Sequence, residues 1–415
     1  MHILLLNEYY PPDTSATARM AAVVAERLAQ QHDVTVVAGR PSYDPDETYP
    51  FALLHRTIRN HVAVECVGST AYPRHQMRRR VSNYLSYLAL AVPRALAIRP
   101  DVILAMTDPP VAGIAGAFIA RLSGRPFVYN IRDLYPDMAL GGDIVSKKPW
   151  VERWERMHRS ALKQAARVIV LGDDMRDRIL AKGVSPENVV VVRDGSSPAG
   201  PMPEASDPIV EEIRQGFPFV ALHAGNLGFY GAWETLLKAA EILSNENTGL
   251  VFVGGGANRE SLGEAAAQLR NVKFLPFRPV EQVPQVMAAG DVQIITVKRG
   301  LEGVVVPSKL YSTLAAGRPV LVVAAPESDA ARIVTGAGCG LAADPDDPAG
   351  VAAAIRELRA DPARLAEMGR RARETAKNYA RVDELNRFVA AVEGAVPVRG
   401  RGRTTTNPQT APVRP

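Results

Sequence analysis

Cysteine is scarce in this chain, with only two among 415 residues. Cys66 and Cys339 are far apart and each lies in an apolar, strand-like run, so the sequence predicts no disulfide framework and suits a reducing compartment. The sequence also lacks a signal-peptide pattern at its start and any uninterrupted run of 18 apolar residues. We therefore expect a cytoplasmic protein, either free in solution or at the inner face of the cell membrane.

Histidine is also scarce, and none of the seven shows the spacing of a metal-ligand pair. The Asp-x-Asp spacing that can bind a metal occurs at Asp44-Pro45-Asp46 and at Asp344-Pro345-Asp346, and each copy lies in a proline-containing turn. We expect the second turn to supply the aspartate that caps the following helix. The sequence therefore predicts neither a metal site nor a cofactor.

A strong excess of one charge is missing as well, since 49 basic residues face 44 acidic residues and leave a net charge of +5. Arginines nevertheless cluster in two places, listed here in chain order: Arg74, Arg78, Arg79 and Arg80, then Arg399, Arg401 and Arg403. No helix-turn-helix, zinc-finger or RNA-recognition pattern surrounds them, so nucleic acid is not an expected partner. The local clusters indicate some other anionic partner.

What is present is a regular alternation of short β-rich runs and amphipathic helical stretches, which is typical of parallel βαβ units. The predicted strands of the first half are Ile3–Leu6, Val34–Ala38, Val62–Val67, Val102–Met106, Phe127–Asn130, Val168–Leu171 and Val189–Val192. Those of the second half are Phe219–His223, Leu250–Val253, Val272–Leu275, Val292–Val297, Val320–Val323 and Gly340–Ala342. A chain of this length exceeds one hydrophobic core, so we expect two domains.

A segment rich in proline, glycine and serine separates the two series between Ser197 and Pro208. The predicted fold class is therefore α/β, with two doubly wound Rossmann-like domains facing across a cleft. Their predicted bounds are 1–198 and 211–375, joined by a linker at 199–210 and followed by a C-terminal helix at 376–396 and a disordered tail at 397–415. Ligands of such sheets bind beyond the carboxyl ends of the strands, so we expect the active site between the domains.

Two loops in this arrangement are candidates for ligand contact. Thr14 and Ser15 follow the first strand at the start of a helix, where ligand binding and simple helix capping are both open interpretations. Gly225–Gly231 follows the first strand of the second domain, where glycines allow the main chain to approach a diphosphate. This loop is neither a Gly-x-Gly-x-x-Gly fingerprint nor a P-loop, because the pattern differs and no Walker lysine follows.

The segment 302–320 predicts a loop, a helix that begins near Pro307 or Ser308, a glycine stop and a buried strand. Lys309 lies in the first helical turn, where the helix dipole disfavours a cation. A bound diphosphate would offset that cost, and we favour this hypothesis over a lysine that is merely solvated.

Residues 76–99 predict a basic amphipathic helix with an aromatic component. Two interpretations of this helix stay open, since either one requires its apolar stripe. The arginines at 74, 78, 79 and 80 contact an anionic membrane or a lipid-diphosphate acceptor, or the helix packs on the first sheet with its arginines in solvent.

Five segments occur in an order more specific than any one of them: Arg132–Asp137, Asn226–Gly228, Phe252–Gly256, Pro307–Lys309 and Ala315–Pro319. Over roughly residues 1 to 390, the chain resembles glycosyltransferase family 4, in the branch of colanic-acid and O-antigen sugar transferases. The resemblance implies the GT-B fold and a metal-independent enzyme. Such an enzyme moves a sugar, with retention of anomeric configuration, from a nucleotide diphosphate sugar to a lipid-linked or saccharide acceptor in surface polysaccharide or glycolipid synthesis.

The resemblance also implies roles for single residues. Gly225, Asn226 and Lys309 contact the donor diphosphate, Glu302 lies near the donor sugar, and Asp133 reaches the cleft from the acceptor domain. Glu302, Lys309 and Asp133 are the catalytic candidates. The remaining candidates are Gly228, Pro307, Ser308 and Ser312 on the donor side and Thr14, Ser15 and Arg132 on the acceptor side.

The chain departs from the family pattern at several positions. Ser312 stands where a second glutamate is common, Gly228–Ala232 lacks the usual arginine and lysine, and Arg132 replaces a frequent histidine. Two other functions therefore stay open: a nucleotide-sugar epimerase of the same fold, and a non-catalytic partner protein that binds a nucleotide sugar. Product formed from donor without acceptor would identify the first, and donor binding without transfer would identify the second.

Overall fold

A computed structural model describes residues 1–42, 51–72, 77–142 and 144–397, without the side chains of residues 77 and 78. Several predictions lie outside the described residues: those on Arg74, on the arginine side chain at 78, on the Asp44-Pro45-Asp46 turn and on the tail from 398 to 415. No helix within the described ranges is both long and apolar enough to cross a membrane.

The first half of the chain forms an eight-stranded sheet with the order β3-β4-β2-β1-β5-β6-β7-β8. Its strands are β1 His2–Leu6, β2 Asp33–Ala38, β3 Leu54–Arg59, β4 Val62–Val67, β5 Val102–Ala105, β6 Phe127–Asn130, β7 Arg167–Val170 and β8 Val189–Val191. Every neighbouring pair is parallel except β3 with β4, which is an antiparallel hairpin at the sheet edge. Strand β3 was not predicted, because its exposed sequence lacks the apolar run of a buried parallel strand.

Helices cover both faces of this sheet. They are α1 Ala16–Ala29, α2 Met77–Ile98, α3 Ala112–Ser123, α4 Asp137–Gly141, α5 Pro149–Gln164 and α6 Asp173–Ala181. Buried side chains of α2, α3 and α5 share one core on one face, and α1 packs in a separate core on the other face. The apolar stripe of α2 therefore faces the sheet.

The second half forms a six-stranded parallel sheet with the order β11-β10-β9-β12-β13-β14. Its strands are β9 Phe219–Ala224, β10 Thr248–Val253, β11 Val272–Leu275, β12 Val292–Thr296, β13 Val320–Val323 and β14 Gly340–Ala343. The helices are α7 Pro208–Arg214, α8 Trp233–Ile242, α9 Arg259–Ala265, α10 Val283–Ala289, α11 Lys309–Ala315, α12 Asp329–Gly336, α13 Pro348–Ala360, α14 Pro362–Ala376 and α15 Arg381–Glu393. The predicted α/β fold with two Rossmann-like domains is confirmed.

Two segment boundaries differ from the sequence-based prediction. Pro208, assigned to the linker, is the first residue of α7, and Asp207 accepts a hydrogen bond from Ile209 N at 2.8 Å as its cap. The predicted C-terminal helix is interrupted, because Ala380 adopts an extended conformation and pairs with Ser196. After this break α15 packs in the core of the first domain through Phe388 and Val389. The end of the chain therefore returns to the amino-terminal half.

Candidate active site

The centre of the site is a pair formed by the partly buried Lys309 and the buried His223. Strand β9 carries His223 near its carboxyl end, and α11 begins at Lys309. Lys309 Nζ lies 3.0 Å from His223 Nε2, while His223 Nδ1 lies 3.1 Å from the carbonyl oxygen of Ile294. Since a carbonyl accepts and never donates, Nδ1 carries the ring proton and Nε2 accepts from the lysine. The pair orients the lysine side chain across the end of β9.

Burial governs the protonation of this pair. It lowers the pKa of Lys309 to about 7. Burial and then the lysine charge hold the pKa of His223 well below its ordinary value, so this imidazole is neutral at pH 7. The lysine is thus a cation that has lost most of its hydration and has gained only a neutral partner in the imidazole. An anion bound beside it would favour the charged form.

Glycines bring the main chain close to this lysine. Gly225 has φ of +130°, and a Cβ there would lie 2.9 Å from Lys309 Nζ. A Cβ at Gly254 would lie 2.0 Å from the carbonyl oxygen of Gly225, and one at Gly256 would lie 2.4 Å from Asn226 Oδ1. The loops after β9 and β10 therefore pack at a distance that only glycine allows. Asn226 is exposed on the outer side of this packed turn.

The other predicted donor-side residues are arranged differently. The carbonyl of Gly228 accepts from Trp233 Nε1 at 2.7 Å and from Asn258 Nδ2 at 2.9 Å, so it holds the loop against α8. Pro307 and Ser308 precede α11, and the hydroxyl of Ser308 makes no capping bond. The hydroxyl of Ser312 donates to the carbonyl of Lys309 at 2.9 Å within the helix.

Glu302 and Asp133 each form an isolated β-bridge with Val305, which joins a loop of the first domain to a loop of the second. Glu302 Oε2 accepts from Gly300 N at 2.8 Å, whereas Glu302 Oε1 is buried with no hydrogen-bond partner. Asp133 pairs with Val305 in an isolated β-bridge, and Leu134 N donates to the carbonyl of Val304 at 2.9 Å. The structure thus joins the predicted acceptor-side aspartate to the loop that carries the glutamate.

The three predicted acceptor-side residues have structural contacts. Ser15 is the cap of α1 and accepts from Ala18 N at 3.0 Å, and Thr14 is exposed. Arg132 donates two bonds to Asp194, of which Nη2 to Oδ2 measures 2.7 Å. The side chains of this pair are 14% and 7% exposed, so the guanidinium is committed to a buried ion pair between the ends of β6 and β8.

A buried polar cluster on the first sheet was missed by the sequence analysis. Glu8 is 2% exposed, its Oε2 has no hydrogen-bond partner, and its N donates to the carbonyl of Asp108 at 2.8 Å. Burial and repulsion from Asp108 raise the pKa of Glu8 well above its ordinary value, and Arg80 opposes the rise. Arg80 is half-buried, hydrogen-bonds with Tyr9 and lies 5.4 Å from the ring centre of Tyr84.

This cluster includes one of the four grouped arginines. Arg80, which was expected to contact an anionic membrane or a lipid-diphosphate acceptor, lies against Tyr9 at the carboxyl end of β1. Residues after β1 and β5 meet there, at the same sheet edge as Asp133. The signal that could have found the cluster is an acidic residue within three positions after each strand, Glu8 after β1 and Asp108 after β5.

The carboxylates at 344–347 have other partners. Arg299 forms ion pairs with Asp344 and Asp346, and Asp347 Oδ1 accepts from Gly350 N at 3.0 Å as the cap of α13. The predicted capping aspartate is therefore confirmed. Within the described ranges, no group of three or more His, Cys, Asp or Glu side chains is placed to hold a metal ion.

Comparison with known proteins agrees with this geometry. Residues 15–195 match the family described as "Glycosyl transferase 4-like domain", and residues 210–375 match "Glycosyl transferases group 1". The chain is similar to "Probable glycosyltransferase WbjE" of Pseudomonas aeruginosa, with 25% identity over 77% of this chain and 82% of the relative. It is equally similar, at 25% identity, to "Putative colanic acid biosynthesis glycosyl transferase WcaI" of Escherichia coli K12, over 86% of this chain and 92% of the relative.

Solved structures share the fold. Anabaena Alr3699/HepE, crystallised in complex with UDP, superposes with a TM-score of 0.66 at 18% identity, covering 95% of this chain and all of that one. WaaG, a glycosyltransferase involved in lipopolysaccharide biosynthesis, gives a TM-score of 0.63 at 18% identity, over 95% of this chain and 100% of that one.

Two Rossmann-like domains that match two glycosyltransferase domain families define a GT-B glycosyltransferase. The two domain matches and the curated relatives assign the chain more narrowly. It belongs to glycosyltransferase family 4 and resembles the colanic-acid and O-antigen enzymes.

Proposed function

We propose that this enzyme transfers a sugar from a nucleotide diphosphate sugar to a saccharide or lipid-linked acceptor with retention of configuration. The observation that carries the proposal is Lys309, a partly buried cation that faces glycine main chain and a neutral imidazole. A diphosphate supplies the negative charge that this arrangement lacks. The complex of Anabaena HepE with UDP supports a uridine nucleotide as the first donor to test.

The proposed chemistry follows from where charge develops. As the bond between the sugar and the diphosphate breaks, negative charge grows on the leaving phosphate. Lys309 Nζ and the main chain at Gly225 and Asn226 would stabilise that charge from fixed positions. No metal is required if these groups supply enough stabilisation.

The sugar ring would lie between the two loops at the domain junction. Glu302 has one carboxylate oxygen, Oε1, that is buried without a partner, and a sugar hydroxyl is a donor that would satisfy it. Asp133 lies on the facing loop. We propose that the two carboxylates bind the donor sugar and the incoming acceptor from opposite sides.

We propose that the acceptor binds against the polar cluster of Glu8, Arg80 and Asp108. A protonated Glu8 can donate a hydrogen bond to an acceptor oxygen, and burial favours that neutral form. Arg80 supplies the positive charge that an acceptor phosphate would need. A surface polysaccharide precursor fits both features, and the colanic-acid function in the name of the relative WcaI supports this class of product.

A peripheral membrane contact is also proposed, on a wider surface than the sequence suggested. Helices α2, α3 and α5 cover one face of the first sheet and leave these apolar side chains about half or more exposed: Val81, Leu85, Phe118, Leu122, Trp150 and Met157. Basic residues on or beside the same helices include Arg79, Arg121, Arg125, Lys147, Lys148, Arg153 and Arg156. Helices α2 and α3 contain no acidic residue. Apolar and basic side chains together suit an anionic lipid surface.

The transfer reaction can be tested with the purified full chain, uridine diphosphate sugars, candidate acceptors and a metal chelator. We expect a product whose new glycosidic bond has the anomeric configuration of the donor, read from the anomeric proton coupling by NMR. Inverted product would contradict the retaining mechanism. Reactions without acceptor distinguish the two alternative functions. An epimerase would convert the donor sugar without acceptor, and a non-catalytic protein would form no product with or without acceptor.

A further inference from the structure

A second cavity lies on the side of the carboxyl-terminal sheet opposite the active site. Its volume is about 360 Å³, and it lies between helix α14 and the turn that enters β13. Pro319 directly precedes β13 and Asp291 directly precedes β12, so the cavity is at the amino ends of these strands. The donor cradle is at their carboxyl ends. The two sites are therefore separate.

Three arginines line this cavity: Arg318, Arg370 and Arg373. Arg318 Nη2 donates to the carbonyl of Ala288 at 3.1 Å, while Arg318 Nε is buried with no hydrogen-bond partner. Arg373 Nη2 donates to the carbonyl of Ala316 at 3.4 Å. Within the described ranges, neither arginine is in an ion pair. Arg370 is paired with Glu367 of its own helix.

The acidic residue that lines the cavity, Asp291, is hydrogen-bonded to a different arginine. Both carboxylate oxygens of Asp291 accept from Arg214, at 3.0 and 3.2 Å. Burial lowers the pKa of Arg318, Asp291 opposes this, and the charges of Arg214 and Arg373 add to the lowering. Arg318 thus lies near two other arginines and one carboxylate, and that carboxylate is hydrogen-bonded to Arg214. A partly buried guanidinium whose Nε lacks a hydrogen-bond partner is costly, and a bound anion would reduce that cost.

The shape of the cavity indicates what kind of anion fits. Guanidinium groups present paired N–H donors that match the oxygens of a phosphoryl group. Pro319, Pro362 and Leu365 supply an apolar wall, and the volume lies within the range of small-molecule sites rather than that of a single small ion. We propose that this cavity is a second ligand site, and that it binds a phosphorylated small molecule through Arg318 and Arg373.

The site lies at the far end of the helix that carries the donor-site lysine. Helix α11 runs from Lys309 to Ala315, and Gly317, with φ of +66°, follows it and lines the cavity. A Cβ at Gly369 of α14 would lie 2.6 Å from the carbonyl oxygen of Gly317, so the two helices meet closely here. The test must therefore keep phosphate binding in the donor cradle apart from phosphate binding in this cavity.

The full chain with the substitution Lys309→Ala is titrated calorimetrically with inorganic phosphate and with glucose 6-phosphate. Because this variant has lost the donor-site lysine, the remaining binding reports on the cavity. We expect one site, tighter for glucose 6-phosphate, and at least tenfold weaker binding after either Arg318→Gln or Arg373→Gln. Arg371→Gln is the matched control, since this exposed arginine lies on the same helix and does not line the cavity. If Arg318→Gln does not fold, Arg373→Gln on the exposed helix decides the result.

Three outcomes would overturn the proposal. Binding that disappears with Lys309→Ala would belong to the donor cradle. If Arg371→Gln weakened phosphate binding as much as the cavity variants, the effect would be due to general surface charge. No heat of binding with either probe at about 10 mM would place the affinity below that of a functional site.

Discussion

Lys309 Nζ lies 3.0 Å from Nε2 of His223, whose other ring nitrogen donates to a main-chain carbonyl. The lysine thereby gains an oriented acceptor but no negative charge. A carboxylate in the place of His223 would neutralise the lysine and compete with a phosphate for it. The pairing with a neutral imidazole leaves the positive charge available for an anionic ligand.

The first prediction concerns the pH dependence of donor binding. Burial lowers the pKa of Lys309 to about 7, so the free enzyme loses the ammonium as pH rises through 7. We expect the Kd for the donor nucleotide to rise by up to about tenfold per pH unit above that point. Titrations from pH 6 to 9 would measure it. The slope should disappear in Lys309→Met, and an unchanged slope in that variant would assign the titration to another group.

The same shift predicts an effect on stability. The unfolded chain keeps its lysine proton up to the ordinary pKa of 10.5, whereas the folded chain releases it near 7. Between these values the unfolded state binds more protons, so this lysine makes the free energy of unfolding rise with pH. Denaturant unfolding at pH 7 and pH 9 should show a smaller gain in Lys309→Met than in the native chain. An equal gain in both would contradict the buried position of the ammonium.

Gly225→Ala tests the close approach of main chain and lysine. The new Cβ would lie 2.9 Å from Lys309 Nζ and would also hold an alanine at φ of +130°. We expect donor binding at least tenfold weaker. Gly216→Ala is the control, because Gly216 has φ of +78° with open space around its Cβ position. Gly216→Ala should be destabilised by a similar backbone strain, about 1–3 kcal/mol, but should bind the donor as tightly as the native chain. Equal losses in the two variants would attribute the effect to strain.

Arg132→Gln distinguishes a structural role from an acceptor-binding role. The change leaves Asp194, which is 7% exposed, without its partner, and we expect a loss of about 3–5 kcal/mol of unfolding free energy. The double variant Arg132→Gln with Asp194→Asn removes both charges and should regain much of that loss. Chemical denaturation measures both. A stable single variant with a raised KM for acceptor would restore the acceptor-side interpretation.

Vesicle flotation tests the proposed lipid surface. We expect the chain to float with vesicles that contain anionic lipid and to remain unbound with neutral ones. Leu85→Ser with Trp150→Ser removes two exposed apolar side chains and should abolish most of this binding. The matched control is Phe277→Ser with Val280→Ser, which removes two apolar side chains from the other domain that are 63% and 75% exposed. Loss of flotation in the control would indicate non-specific adhesion.

Much of the fold was accessible from the sequence because parallel strands buried on both faces leave continuous apolar runs, as in Val320–Val323. Strand β3 could not be predicted from the sequence, since five of its six residues are exposed and Ile58 is 82% exposed. An edge strand of this kind is fixed by its hairpin partner β4, and no local pattern in its own residues records that pairing.

Candidate site residues could be named from the sequence where a motif fixes the local backbone. The contacts between residues far apart in the sequence could not. Lys309 and Gly225 were singled out from their own loops, yet the contacts of Lys309 with Gly225 and with His223 depend on how β9 and α11 pack. The burial of Glu8 against Asp108 arises because β1 and β5 are neighbours in the sheet although far apart in sequence. Side-chain environment of this kind follows from the order of the strands.

The central claim is that the glycine cradle with Lys309 binds a nucleotide diphosphate sugar without metal. Its most direct test is a thermal-shift screen of the native chain and Lys309→Ala against uridine, guanosine, thymidine and adenosine diphosphate sugars, with chelator present. At a hundred times its Kd, a bound donor should stabilise the native chain by about 2.7 kcal/mol and raise the melting temperature by a few degrees. We predict such a shift with one nucleotide class, absent in Lys309→Ala. No shift with any donor, or an equal shift in the variant, would contradict the account.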